Sequence, residues 1–61
     1  MAKWLHSRKG VIEGEIVTQH DEWVEIRVTG DQIHRHGRGN EAVADGEIIT
    51  VRKSFLREMV A

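Results

Sequence analysis

The chain has 61 residues, nine Lys and Arg against ten Asp and Glu, a formal net charge of −1, and neither cysteine nor proline. Disulfides, thiolate metal sites and thiol nucleophiles are therefore excluded, and no apolar run approaches the roughly 20 residues of a membrane-spanning helix. The near-neutral balance argues against a generic nucleic-acid coat, which is basic overall, while leaving room for a local basic patch.

One small domain over residues 1–61 is expected. A chain of this length buries only about 60% of the surface its unfolded form exposes, so a homo-oligomer is expected to supplement the core. The opening MAKWLHSRKG is basic and lacks the apolar centre of a signal peptide, which points to a cytoplasmic protein with no membrane partner.

Seven Val and six Ile outweigh two Leu and four Ala, a bias towards strands. In Val11-Ile12-Glu13-Gly14-Glu15-Ile16-Val17, Ile12 and Ile16 share one face. In residues 22–29, Val24, Ile26 and Val28 alternate with polar or amphipathic residues. Joined through Gln19-His20-Asp21, the two runs pair with Ile16 opposite Val24, Gly14 opposite Ile26 and Ile12 opposite Val28. Trp23 then falls on the outer face with Val17. A one-residue slip would mix the faces.

Thr29-Gly30-Asp31-Gln32 suits a type II′ hairpin turn. It would set Val28 opposite Ile33, Arg27 opposite His34 and Glu25 opposite His36. Arg35 would then meet Ile26 on the apolar face, a mismatch. Residues 36–40, HGRGN, read as a loop. Asp45-Gly46 favours a type I′ turn. The run 47–52 is a further strand, with Ile48 and Ile49 pointing to opposite faces. Residues 54–60 read either as two turns of amphipathic helix capped by Ser54 or as a 3₁₀ turn leading into a last strand. The expected core is Ile12, Ile16, Val24, Ile26, Val28, Ile33, Ile49, Val51, Leu56 and Met59. The expected contacts between copies are Ile48, Val43, Phe55 and Val60.

The segment Val51-Arg52-Lys53-Ser54-Phe55-Leu56-Arg57-Glu58-Met59 resembles the end of an SH3-like barrel, where a strand passes through one 3₁₀ turn, often with a Ser and an aromatic, into a closing strand. The resemblance implies an all-β fold: a small SH3-like barrel or a strongly curved antiparallel sheet of about five strands, with a short C-terminal 3₁₀ or helical turn. The chain has no tyrosine, no proline and no adjacent tryptophans, so recognition of Pro-rich peptides is not carried over. Likeness of fold does not assign function.

The expected register aligns Glu15, Glu25 and His36 in one outer row and Glu13, Arg27 and His34 in the next. Two carboxylates and an imidazole suit a divalent cation; the alternative is a solvated face whose charges discourage edge pairing. No metal or other cofactor is assigned. Histidines beside carboxylates hold their protons longer, so these would add stability at low pH that is lost as pH rises. Exposed Trp23 is suited to stacking on a base or anchoring a partner, the alternative being cover by Trp4 or Leu5.

Eight of the nine basic residues fall in three groups: Lys3, Arg8 and Lys9; Arg35 and Arg38; Arg52, Lys53 and Arg57. If they converge they form a cationic stripe for phosphates, with Gly37 and Gly39 letting backbone N–H groups approach an anion; otherwise HGRGN is a solvated hairpin tip. Neither Ser7 nor Ser54 has the setting of a nucleophile, and so small a fold encloses little volume. The expected function is a non-enzymatic binding module acting through protein–protein interaction or assembly. The alternative is a nucleic-acid-binding regulatory protein. The candidate binding residues are Trp23, Arg27, His34, Arg35, His36, Arg38, Arg52, Lys53 and Arg57.

Overall fold

The computed structural model describes residues 2–59. Along them run β1 (Ala2–His6), β2 (Gly10–Gln19), β3 (Trp23–Val28), β4 (Gln32–His36), β5 (Gly39–Val43), β6 (Ile48–Arg52), a 3₁₀ turn (Lys53–Phe55) and β7 (Leu56–Met59). Five strands form an antiparallel sheet in the order β6-β3-β2-β1-β7, and β4 and β5 form a separate two-stranded sheet. The fold is all-β as expected, in its open-sheet form: β6 and β7 end the sheet without closing it. Of the two C-terminal alternatives, the 3₁₀ turn followed by a strand is the one found.

Ile12, Val24, Ile26 and Val51 form the buried cluster, with Trp4, Ile16, Ile49 and Leu56 packed against it. The expected inward faces of β2 and β3 are therefore correct, but the register is not. Gly14 lies opposite Val28 and Ile16 opposite Ile26; beyond a bulge at Val17 the pairing continues as Thr18–Glu25 and Gln19–Val24. The first pairs are displaced by two residues from the expected ones. A two-residue shift leaves every side chain on its own face, so alternation alone does not distinguish the two registers. The bulge absorbs one extra residue. Gly14 favours the observed alignment, because a Cβ there would collide with the Arg27 carbonyl oxygen and come within 2.9 Å of Ile26 Cγ2.

β3 does not pair with β4. Its outer neighbour is β6, with Ile26 opposite Ile49 and Val24 opposite Val51. This pairing sets apolar side chains against apolar ones where β4 would have brought Arg35 against Ile26. Gly30 has the positive φ of +81°, but the chain leaves the sheet there and β4 pairs with β5, His36 opposite Gly39. The HGRGN loop is thus a tight hairpin turn at Gly37-Arg38. At residues 44–47 the expected turn is present, with the Glu47 N–H donating to the Ala44 carbonyl at 3.1 Å. Only Gly46 in it has a positive φ, the signature of type II rather than type I′.

The β4–β5 hairpin is docked on β2 by a side-chain amide. Gln32 Oε1 accepts the Glu13 N–H at 3.1 Å, and Gln32 Nε2 donates to the carbonyls of Glu13 at 2.7 Å and Thr29 at 2.8 Å. This docking turns His34 inward and Ile33 outward, the reverse of the expected arrangement. His34 is buried, whereas Ile33 is 73% exposed. Met59, also expected in the core, is exposed, and Val43, expected as a contact between copies, is buried in the core. Ile48 is exposed and Phe55 half-buried; Val60 lies outside the described residues. Among the described residues no helix is long and apolar enough to cross a membrane.

Candidate functional site

The site begins at the end of β1, where the His6 side chain is buried. Its Nδ1 accepts the backbone N–H groups of Arg8 at 3.1 Å and Lys9 at 3.0 Å. A nitrogen that accepts two N–H groups carries no proton, so the ring is neutral with its proton on Nε2. Burial lowers the pKa of His6, and Lys9, Arg8 and His34 lower it further. The ring thereby caps the turn over residues 7–10, which carries two adjacent cations, and Gly10 closes that turn with φ +87°.

Two further elements meet this turn. From the 3₁₀ turn, Phe55 sets its ring edge-on to His6, with centroids 5.6 Å apart. The Arg8 guanidinium lies 5.0 Å from the centroid of the same Phe55 ring. From the hairpin, the Arg35 N–H donates to the Lys9 carbonyl at 3.0 Å. Beneath, His34 Nε2 contacts Gln32 Oε1 at 2.8 Å. Because the other end of the Gln32 amide donates to two carbonyls, Oε1 is the acceptor and His34 also carries its proton on Nε2. Its pKa is lowered by burial and by Lys9, against a smaller opposing effect of Glu41.

Trp23 and Arg52 complete the site from β3 and β6. They are paired in register, and the Arg52 guanidinium lies 4.9 Å from the indole centroid. The result is an open cleft of about 270 Å³ in which Arg8, Lys9, Arg35 and Arg52 converge around the rings of Trp23 and Phe55. Among the described residues no carboxylate lines it. A concentration of cations without counter-charges favours an anion, and the aromatic faces favour a flat, polarizable group beside that anion.

Of the candidate residues, Trp23, Arg35, His36 and Arg52 share this cleft, and Gly37 joins them. Arg27 does not line it; it pairs with Glu15 and Ile48 in the sheet. His34 is buried and packs the hairpin rather than facing a ligand. Arg38 sits exposed at the tip of the β4–β5 hairpin. Lys53 lies in a separate hollow with Asp21 and Glu22, and Arg57 in a groove beside Leu5 and Ser7.

Sequence reasoning grouped Arg8 and Lys9 with the basic residues but did not place them in the site, and it missed His6. Ser7-Arg8-Lys9-Gly10, two cations between a small polar residue and a glycine, carries a turn signal that could have found them.

The expected cation row is not assembled. Glu15 lies opposite Arg27, Glu25 opposite Thr18, and His36 in the other sheet. The Glu25 carboxylate instead contacts His20 Nε2 at 3.0 Å, and His36 Nδ1 lies 3.6 Å from Glu41. Among the described residues no group of three His, Asp or Glu side chains could hold a metal ion. The expected proton retention by His34 is reversed, because that ring is buried beside Lys9 instead of lying in a carboxylate row. No family model, curated protein or solved structure matches the chain.

Proposed function

We propose that the chain is a non-enzymatic module that binds single-stranded nucleic acid in the cleft between the 7–10 turn, the β4–β5 hairpin and the 3₁₀ turn. The observation that carries this reading is the convergence of four cations on two aromatic rings. Phosphates would meet Arg8, Lys9, Arg35 and Arg52, and an unpaired base would stack on Trp23, which is 40% exposed. A duplex would offer the same phosphates but hide its base faces, so the rings favour a single strand. Because the net charge is −1, the attraction is local to the cleft. An SH3-like arrangement is the fold reading that goes with this proposal, supported by the β1–β2–β3 meander and by Ser54 and Phe55 in the 3₁₀ turn between β6 and β7.

The second reading is assembly with another copy, favoured by the outward side chains of Ile33 and Ile48. Titration of a labelled ten-nucleotide single strand at several salt concentrations tests the first. Each phosphate contact should add roughly −0.7 to the slope of log affinity against log salt. Arg35→Ala and Arg52→Ala should each flatten that slope. A slope near zero, or equal affinity for a glutamate-rich peptide, would exclude nucleic acid as the ligand.

A further inference from the structure

Hollows border the 3₁₀ turn on more than one side. The cleft includes Phe55 and Arg52. A groove of about 360 Å³ shares Phe55 and continues along Ser7, Ser54, Leu56 and Arg57. A hollow of about 250 Å³ shares Arg52 and continues to Lys53, Asp21 and Glu22. The first two are fixed relative to each other, because the Ser7 N–H donates to the Phe55 carbonyl at 2.9 Å and so ties the 7–10 turn to the 3₁₀ turn.

The two hollows that share a residue with the cleft in this way differ in charge. Past Arg52, a polyanion meets the Asp21 and Glu22 carboxylates with Lys53 beside them. Past Phe55, it meets the Arg57 guanidinium and two serine hydroxyls, with no carboxylate among the described lining residues. Like-charge approach is unfavourable, so the groove with Arg57 is the more favourable of the two.

We infer that the bound strand runs from the cleft across Phe55 into the Arg57 groove, so that the site takes two or more linked nucleotides rather than a single one. This inference rests on the nucleic-acid reading above and deepens it. Phe55 is the shared wall on which the second base stacks. Leu5 and Leu56 supply apolar surface beside it, and Arg57 takes the following phosphate.

The test measures binding of thymidine monophosphate and of di-, tri- and hexathymidylate to the full chain and to two variants, Arg57→Gln and Lys53→Gln. Both substituted side chains are exposed, so the fold should be retained. Affinity should rise roughly tenfold or more between the mononucleotide and the trinucleotide, as linked sites bind together. Arg57→Gln should lower the trinucleotide salt slope by about 0.7 and leave mononucleotide affinity unchanged, while Lys53→Gln leaves the trinucleotide within about twofold, since it sits among the carboxylates that the strand avoids. Equal affinity for mononucleotide and trinucleotide, or a larger effect of Lys53→Gln than of Arg57→Gln, would overturn the proposed path while leaving the cleft reading intact. Absence of binding at every length would overturn the cleft reading itself, and the path with it.

Discussion

Arg52 and Trp23 stand directly opposite each other on neighbouring strands, with the guanidinium carbon 4.9 Å from the centre of the indole. Strand register, rather than side-chain mobility alone, sets this pair, so the arginine reaches the cleft already positioned. An exposed cation–π contact contributes about 0.5–1 kcal/mol. Arg52→Ala should therefore lower unfolding stability by about that amount and shift the indole N–H resonance of Trp23. Urea denaturation and a proton–nitrogen correlation spectrum check the two effects. An unmoved Trp23 resonance would contradict the contact.

Gly14 offers a sharper test of the register. Its missing Cβ makes room for the Arg27 carbonyl and the Ile26 side chain, and overpacking of such a site costs about 1–3 kcal/mol or more. Gly14→Ala should lower stability by at least that much, against at most a few tenths for a typical surface alanine. Thermal unfolding measures it. A neutral outcome would mean that β2 and β3 are aligned differently.

Acid should destabilise the fold. His6 and His34 have pKa values lowered in the folded state, so below about 6.5 the unfolded chain binds protons that the folded chain refuses. Their contribution to stability is fully present above that value and is lost as pH falls towards the folded pKa values. Protonation of His6 at Nδ1 would also release the N–H groups of Arg8 and Lys9 that it caps. Denaturation midpoints at pH 7.5, 6.5 and 5.5 should fall in that order; a rise on acidification would contradict the buried neutral rings.

The alternation of Ile12, Ile16, Val24, Ile26 and Val28 made the inward faces legible, since a period of two is a direct signature of a half-buried strand. The same period concealed the register. The Arg35–Ile26 mismatch was a readable warning that β4 does not belong beside β3. What could not be read was the replacement, because β6 reaches β3 only after the hairpin has been set aside. In the site, Arg35, Arg52 and Trp23 were legible from charge and exposure. The neutral role of His6 was not, because it depends on the turn geometry that brings two N–H groups onto one ring nitrogen.

Gln32 should be the most sensitive polar position in the hairpin. Its amide accepts from Glu13 and His34 and donates to the carbonyls of Glu13 and Thr29. Gln32→Glu turns two donors into an acceptor facing two carbonyls and should cost about 1–3 kcal/mol. Hydrogen exchange should then accelerate in β4 and β5 before it does in β2 and β3. Uniform acceleration across both sheets would show that the hairpin does not open on its own.

At Glu13, one residue beyond the end of the β2–β3 pairing, that amide stands in for a backbone ladder. Around it the hairpin is held by buried His34 and Val43 and by backbone bonds from Arg35 to Lys9 and from Thr29 to Glu13. The inward side chains of the hairpin thus fix its seat, and its outward ones are left to the cleft. Substitutions at exposed Arg35 and His36 therefore alter the chemistry admitted at the cleft while Gln32, His34 and Val43 keep the hairpin on the sheet that carries it.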